Sequence, residues 1–199
     1  MGKSILKNIK QLLLIVFSVV LGIFLSERIE DKKNEKEAAL LLSKIESEVA
    51  DNKQLIEQWL PYHQKIVQRL DSLVNDPVFL TRFIADESVL FSEVLTEGSL
   101  MGRFPASDAW DIAKAHPLFV YTDYEDVLLL SKLYSQQEMA YASVPQMVER
   151  LLSPDFNSKA NAPSSLYTFR NQMREIVGRE IQYRDFLRAA EKRFELDKQ

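Results

Sequence analysis

Residues 38–73 read AALLLSKIESEVADNKQLIEQWLPYHQKIVQRLDSL, and the spacing of their apolar side chains decides the fold class. Ala38, Leu42, Ile45, Val49, Asn52, Ile56, Trp59, His63, Ile66, Leu70 and Leu73 follow one another at alternating steps of four and three. Steps of that size return to the same face of a helix, so the stretch predicts one long helix with a coiled-coil-like seam. Pro61 has no amide hydrogen and predicts a kink or break near residues 59–60.

Upstream, residues 27–37 (ERIEDKKNEKE) alternate in sign, with Arg28 and Asp31, Glu30 and Lys33, and Lys32 and Glu35 three apart. This suits an exposed helical stalk. Residues 11–26 (QLLLIVFSVVLGIFLS) form sixteen positions without a charge. As a helix they span about 24 Å, slightly under the ~30 Å hydrocarbon thickness of a bilayer. Lys10 can snorkel, and Ile5, Leu6 and Ile9 can add an interfacial turn. A cleaved signal peptide needs small residues before the cut. Cleavage after Ser26 puts Phe24 three positions before the cut, and cleavage after Gly22 falls inside the apolar run. A run apolar on every face also fits poorly in a soluble core. The organisation expected is therefore a basic leader (1–10), a transmembrane anchor (11–26), a charged helical stalk (27–37) and a helical bundle domain (38–199).

Lys3, Lys7 and Lys10 before the run face Arg28, Lys32, Lys33 and Lys36 after it, a nearly balanced positive-inside count. A short basic leader ahead of an apolar run is how a signal anchor is built. The expected topology has the N-terminus in the cytoplasm and the body in the periplasm, held in the inner membrane.

Downstream, Asp76-Pro77 reads as a helix cap followed by proline at the first helical position. The segment up to Gly98 predicts two short helices broken near Asp86, and residues 98–106 a loop. Ser107 should cap a short helix carrying Trp110, stopped at His116-Pro117. Thr122 to Glu125 matches a capping box. A long helix then carries Val127, Leu130, Tyr134, Gln137, Tyr141, Val144, Val148 and Leu151, bent at Pro145. Residues 153–163 read as a flexible loop, and 118–121 is the only strand candidate. The last helix, about 164–196, aligns Leu166, Phe169, Met173, Ile176, Glu180, Tyr183, Leu187, Ala190 and Phe194. The fold class expected is all-α: a transmembrane helix continuing into an elongated antiparallel helical bundle with short capping helices.

Chemistry is scarce in this pattern. There is no cysteine, hence no disulfide or thiolate site. The histidines, His63 and His116, lack the Glu-x-x-His spacing of a di-iron bundle. His63 reads as a hydrogen-bonded packing residue and His116 as a capping or surface one. With five glycines the chain shows no phosphate loop, nucleotide fingerprint or nucleophile elbow. Glu46 with Glu48, and Glu93 with Glu97, read as surface charges. Residues 27–199 carry 22 basic and 29 acidic side chains, a net charge of −7 that offers nucleic acid no basic patch. No catalytic residue, cofactor or metal is expected.

Asn52, Gln137 and Glu180 interrupt three apolar stripes. They are candidate determinants of register or oligomeric state, or else residues of a wet rim. Trp59 and Trp110 read as core anchors. Phe79, Phe83, Phe91 and Phe104 form a candidate partner-facing apolar segment.

Several pieces resemble a family of uncharacterised single-pass proteins of Gram-negative bacteria, especially Bacteroidetes, classed as a domain of unknown function. They are Ile15-Val16, Leu21-Gly22-Ile23-Phe24-Leu25 and Glu30, then Ile45, Glu48 and Asn52, then Ala109-Trp110 and Leu130-Ser131-Lys132-Leu133-Tyr134. The family commonly has a tryptophan near the end of its anchor, where this chain has Ile29. The resemblance implies the same architecture and no activity.

The expected function is a non-enzymatic, membrane-anchored bundle that binds another protein or a second copy of itself. The alternative is a ligand-sensing ectodomain passing its signal to a partner subunit.

Overall fold

The computed structural model describes residues 2–82, 84, 85, 88, 89 and 91–196. For residues 2–9, 84, 85, 88, 89, 118, 119 and 196 it describes the backbone alone. The chain is helical almost throughout. Helix α1 (Gly2–Leu73) is followed by α2 (Pro77–Arg82) and a two-residue antiparallel pair, β1 (Ile84–Ala85) with β2 (Ser88–Val89). Then come α3 (Asp108–Lys114), α4 (Tyr124–Tyr141), α5 (Val144–Leu151) and α6 (Ala162–Leu196).

Helix α1 is continuous. Residues 11–26 and the sign-alternating stretch after them belong to the same helix as the seam. Every residue from Lys10 to Asp31 is exposed, and burial starts in earnest at Ala38. This is the one helix among the described residues long and apolar enough to cross a membrane. Pro61 does not break it. Pro61 and Glu57, whose carbonyl loses its helical partner, both lie on the exposed face, where water replaces the missing hydrogen bond.

Three long elements pack lengthwise, and their cross-links give the directions. Lys53 pairs with Glu191, His63 with Glu180 and Asp71 with Arg174, so α1 and α6 run antiparallel. Asp126 pairs with Arg193, Gln137 with Tyr183 and Tyr141 with Glu180, so α4 and α6 are antiparallel too. Glu48 meets Tyr134 and Asn52 meets Gln137, which makes α1 and α4 parallel. Residues 74–123 return the chain to the start of α1's packed region before α4 sets out.

The α6 stripe is buried in full, from Leu166 to Phe194. On α1 the buried face is wider than the seam, because Glu48, Leu55 and Tyr62 are buried beside it. One side of α1 faces α6, and the other faces α3 and the 98–106 loop.

Several local expectations need correction. The long helix through Pro145 is two helices, with Ser143 at the break and the proline in the first turn of α5. The break resets the phase, so Met147 is buried and Val148 is 41% exposed. Asp123, not Thr122, caps α4, its carboxylate accepting from the Glu125 amide at 2.8 Å. Asp76 caps α2 as its sequence predicts, accepting from the Val78 and Phe79 amides. Residues 118–121 belong to a 3-10 turn, Pro117–Tyr121, rather than a strand. Of the two short helices expected before Gly98 only α2 forms; the β1–β2 pair and a 3-10 turn, Phe91–Glu93, stand where the second was expected, and the break near Asp86 lies outside the described residues. In the stalk, the ion pair formed joins Lys33 and Glu37 four apart.

Candidate functional site

The three polar seam residues come from three helices; Asn52 and Gln137 bind one loop directly, and Glu180 reaches it through His63. Residues 99–106 cross the outside of the core without regular structure, so their backbone groups need partners from elsewhere. Tyr62 donates its hydroxyl to the Ser99 carbonyl at 2.9 Å. His63 Nε2 lies 2.8 Å from the Leu100 carbonyl. Gln137 Nε2 donates to the Pro105 and Ala106 carbonyls at 3.0 and 3.1 Å. Asn52 grips Ala106 from both sides, donating to its carbonyl at 2.7 Å and accepting from its amide at 2.8 Å. Polar seam positions thus hold down a loop that lacks a ladder of its own.

Behind this row lies a second one. Glu180, wholly buried on α6, approaches His63 Nδ1 with both carboxylate oxygens, at 2.9 and 2.8 Å, and accepts from the Tyr141 hydroxyl at 3.2 Å. The Leu100 carbonyl can only accept, so His63 Nε2 carries a hydrogen. Two carboxylate oxygens facing Nδ1 favour a hydrogen there as well, so the site favours the doubly protonated ring. Burial by itself pulls the His63 pKa down. The Glu180 hydrogen bond and charge, followed by the Leu100 carbonyl and the charge of Glu97, outweigh it and hold the imidazole above its ordinary value.

Gln137 uses its whole side-chain amide, because its oxygen accepts from the Tyr183 hydroxyl at 2.6 Å and from Asn52 at 3.5 Å. Burial pushes the phenols of Tyr134, Tyr141 and Tyr183 far above their ordinary range, so they serve here as neutral donors.

Glu48 corrects its reading as a surface charge. It is 9% exposed and accepts from the Ala109 and Trp110 amides at the start of α3, and from the Tyr134 hydroxyl at 2.6 Å. Ser107, the expected cap of that helix, makes no capping bond and donates its hydroxyl to Asp111. A carboxylate from α1 therefore caps α3 across the interface, where the helix end favours negative charge.

Asn52, Gln137 and Glu180 are thus all inside, which removes the wet-rim reading. Their hydrogen bonds are made within the chain. The aromatic segment separates differently. Phe79 is 1% exposed and cannot face a partner. Phe91 is half-buried, stacked on Phe156 with its edge contact to Phe169. Phe83 lies outside the described residues. Phe104, 52% exposed, remains at the surface, edge-on to Tyr141.

Phe104 separates two open grooves of about 540 and 420 Å³. Tyr134, Gln137 and Tyr141 line the first, and Glu48, Asn52 and Ile112 the second. Trp110 stacks on Tyr134 at 5.1 Å, and Trp59 on His63 at 5.8 Å. Among the described residues no cluster of histidine and carboxylate side chains could hold a metal ion.

The hydroxyls of Tyr134, Tyr141 and Tyr183 were the overlooked signal. A tyrosine on a buried stripe needs a polar partner, and three of them point to a polar layer. Compared with protein-family models, curated proteins and solved structures, the chain matches none.

Proposed function

We propose that this protein is a single-pass, membrane-anchored helical bundle of the cell envelope that works by binding another protein or a second copy of itself. The observation that carries the reading is the full exposure of residues 11–26 in a helix that later supplies the body's main core face. A helix with sixteen uncharged, outward-facing residues needs an apolar solvent, and a bilayer is the one it fits. The same continuity makes residues 27–37 a rigid stalk.

In this reading the N-terminus, with its lysines, is cytoplasmic and the body lies in the periplasm. Asn52, Gln137 and Glu180 set the register of the bundle, because a slip along any one helix would bury their partners unpaired. The docking surface is the strip around Phe104, between the two grooves, and Ile112 on the second. The likeness to single-pass Bacteroidetes-type proteins belongs to the same proposal.

Two experiments test it. A reporter active only in the cytoplasm, fused after Gln199, should be silent, and strong activity would reverse the topology. Cross-linking through residues near Phe104 in intact membranes should trap a discrete heteromer or homo-oligomer. Monomer alone at every dose would contradict the binding role.

A further inference from the structure

The part of the body closest to the apolar run carries an exposed apolar tip. The 3-10 turn Pro117–Tyr121 has the sequence PLFVY. Val120 is 85% exposed, and Tyr124, the first residue of α4, is 71% exposed. Tyr121 ties this turn to the stalk by hydrogen bonds. The Tyr121 hydroxyl accepts from Asn34 Nδ2 at 3.1 Å and donates to Asp31 Oδ1 at 3.3 Å.

Because α1 is unbroken, heights along it can be counted from its sequence. Asp31 and Asn34 stand about 7.5 and 12 Å beyond Ser26 at ~1.5 Å per residue. The headgroup layer extends about 5–8 Å beyond the hydrocarbon on each side. The apolar run is about 6 Å shorter than the hydrocarbon, which draws both residues roughly 3 Å nearer to it. Asp31 then stands about 4.5 Å beyond the hydrocarbon, within the headgroup layer, and Asn34 about 9 Å, at its outer edge, so the turn tied to both meets the outer headgroup layer. Glu48, where α3 is tied to α1, is about 21 Å further out than Asn34, so the exposed side chains there have no such neighbour.

We infer that the Pro117–Tyr121 turn, with Tyr124, is a second membrane contact, lying in the headgroup layer of the bilayer that holds residues 11–26. The inference rests on the anchor reading above. Tyrosine suits such a layer, with an apolar ring and a hydroxyl that stays hydrated. Charge contributes little to the contact. Arg28, Lys32, Lys33 and Lys36 are matched nearby by Glu27, Glu30, Asp31, Glu35, Glu37, Asp123 and Glu125. The contact is apolar and aromatic, and zwitterionic lipid suffices for it. Two contacts on one face of the stalk fix the tilt of the body, so the Phe104 strip keeps one orientation to the membrane.

The absence of cysteine permits a direct test with single-cysteine variants of the full chain. An environment-sensitive fluorophore is attached to Phe17→Cys, Val120→Cys or Leu152→Cys and reconstituted in phosphatidylcholine vesicles. Leu152, 73% exposed, follows the last residue of α5 at the far end of the body. The Phe17 label should be blue-shifted and quenched by nitroxides on acyl chains. The Val120 label should be blue-shifted and lose intensity to nitroxides on headgroups, and the Leu152 label should do neither. A Val120 label that behaves like Leu152 while Phe17 is in lipid overturns the second contact and leaves the anchor standing. A blue shift at Val120 without nitroxide quenching means protein covers the turn, which also overturns it. A Phe17 label outside lipid removes the anchor and the second contact together.

Discussion

His63 and Glu180 meet across the α1–α6 interface with Nδ1 2.8 Å from Oε2, and neither side chain is exposed. Burying such a pair is costly, and the cost is offset only when the remaining polar capacity is filled. Here Tyr141 and the Leu100 carbonyl fill it. The pair also joins the two helices that define the body to the loop laid over them.

The pH dependence of stability follows from the raised His63 pKa. A group whose folded pKa lies above its unfolded value (about 6.5 for histidine) stabilises fully below that unfolded value. The contribution disappears as pH rises through the folded pKa. Urea midpoints of the full chain in mild detergent should therefore fall across that window relative to a His63→Gln chain. A difference that grows with pH would contradict the raised His63 pKa.

Removing one member of the pair should cost more than removing both. Glu180→Leu leaves His63 facing an apolar wall and should destabilise by about 3–5 kcal/mol. Adding His63→Phe should recover part of that loss, read as a coupling in a double-mutant cycle. Simple additivity would show the pair to be energetically silent.

Asn52→Ala strips partners from the Ala106 amide and carbonyl. The carbonyl keeps Gln137, so the part-buried amide alone loses its partner, at a cost of about 1 kcal/mol. Amide exchange over residues 103–107 should accelerate well beyond that of α6. Unchanged exchange in the loop would mean that Gln137 alone holds it.

Glu48→Ala removes the cap of a seven-residue helix that has no side-chain cap of its own. Loss of a cap costs about 0.5–2 kcal/mol, and so short a helix has little cooperativity to resist it. Faster exchange confined to α3 is expected. Global destabilisation without local loosening of α3 would favour a role through Tyr134 instead.

Much of the fold is legible along the chain, because helical period and caps are local. The α6 stripe, the seam of α1, the Asp76-Pro77 start and the 98–106 loop all follow from spacing or turn chemistry. The two prolines show the limit. Pro61 and Pro145 remove the same amide hydrogen, yet only the second coincides with a break. Pro61 sits on a solvated face of a helix packed on both sides of it, whereas Pro145 lies where the chain leaves the α4 stripe. That difference is tertiary and absent from either local sequence. The polar trio was visible as interruptions in three stripes, but the meeting of Asn52 and Gln137 at one loop depends on α1 and α4 running parallel. Spacing and turn chemistry gave no sign of the role of Glu48, since a carboxylate capping a helix sixty residues away looks like any surface glutamate.

Membrane anchoring through residues 11–26 is tested most directly by alkaline carbonate extraction of membranes containing the full chain. The native protein should remain in the pellet. Val16→Lys with Val19→Lys should shift it to the supernatant, since each lysine at the helix centre costs about 2.5–3.5 kcal/mol on insertion scales. Release of the native chain into the supernatant under the same conditions would contradict the anchor, and with it the proposed function.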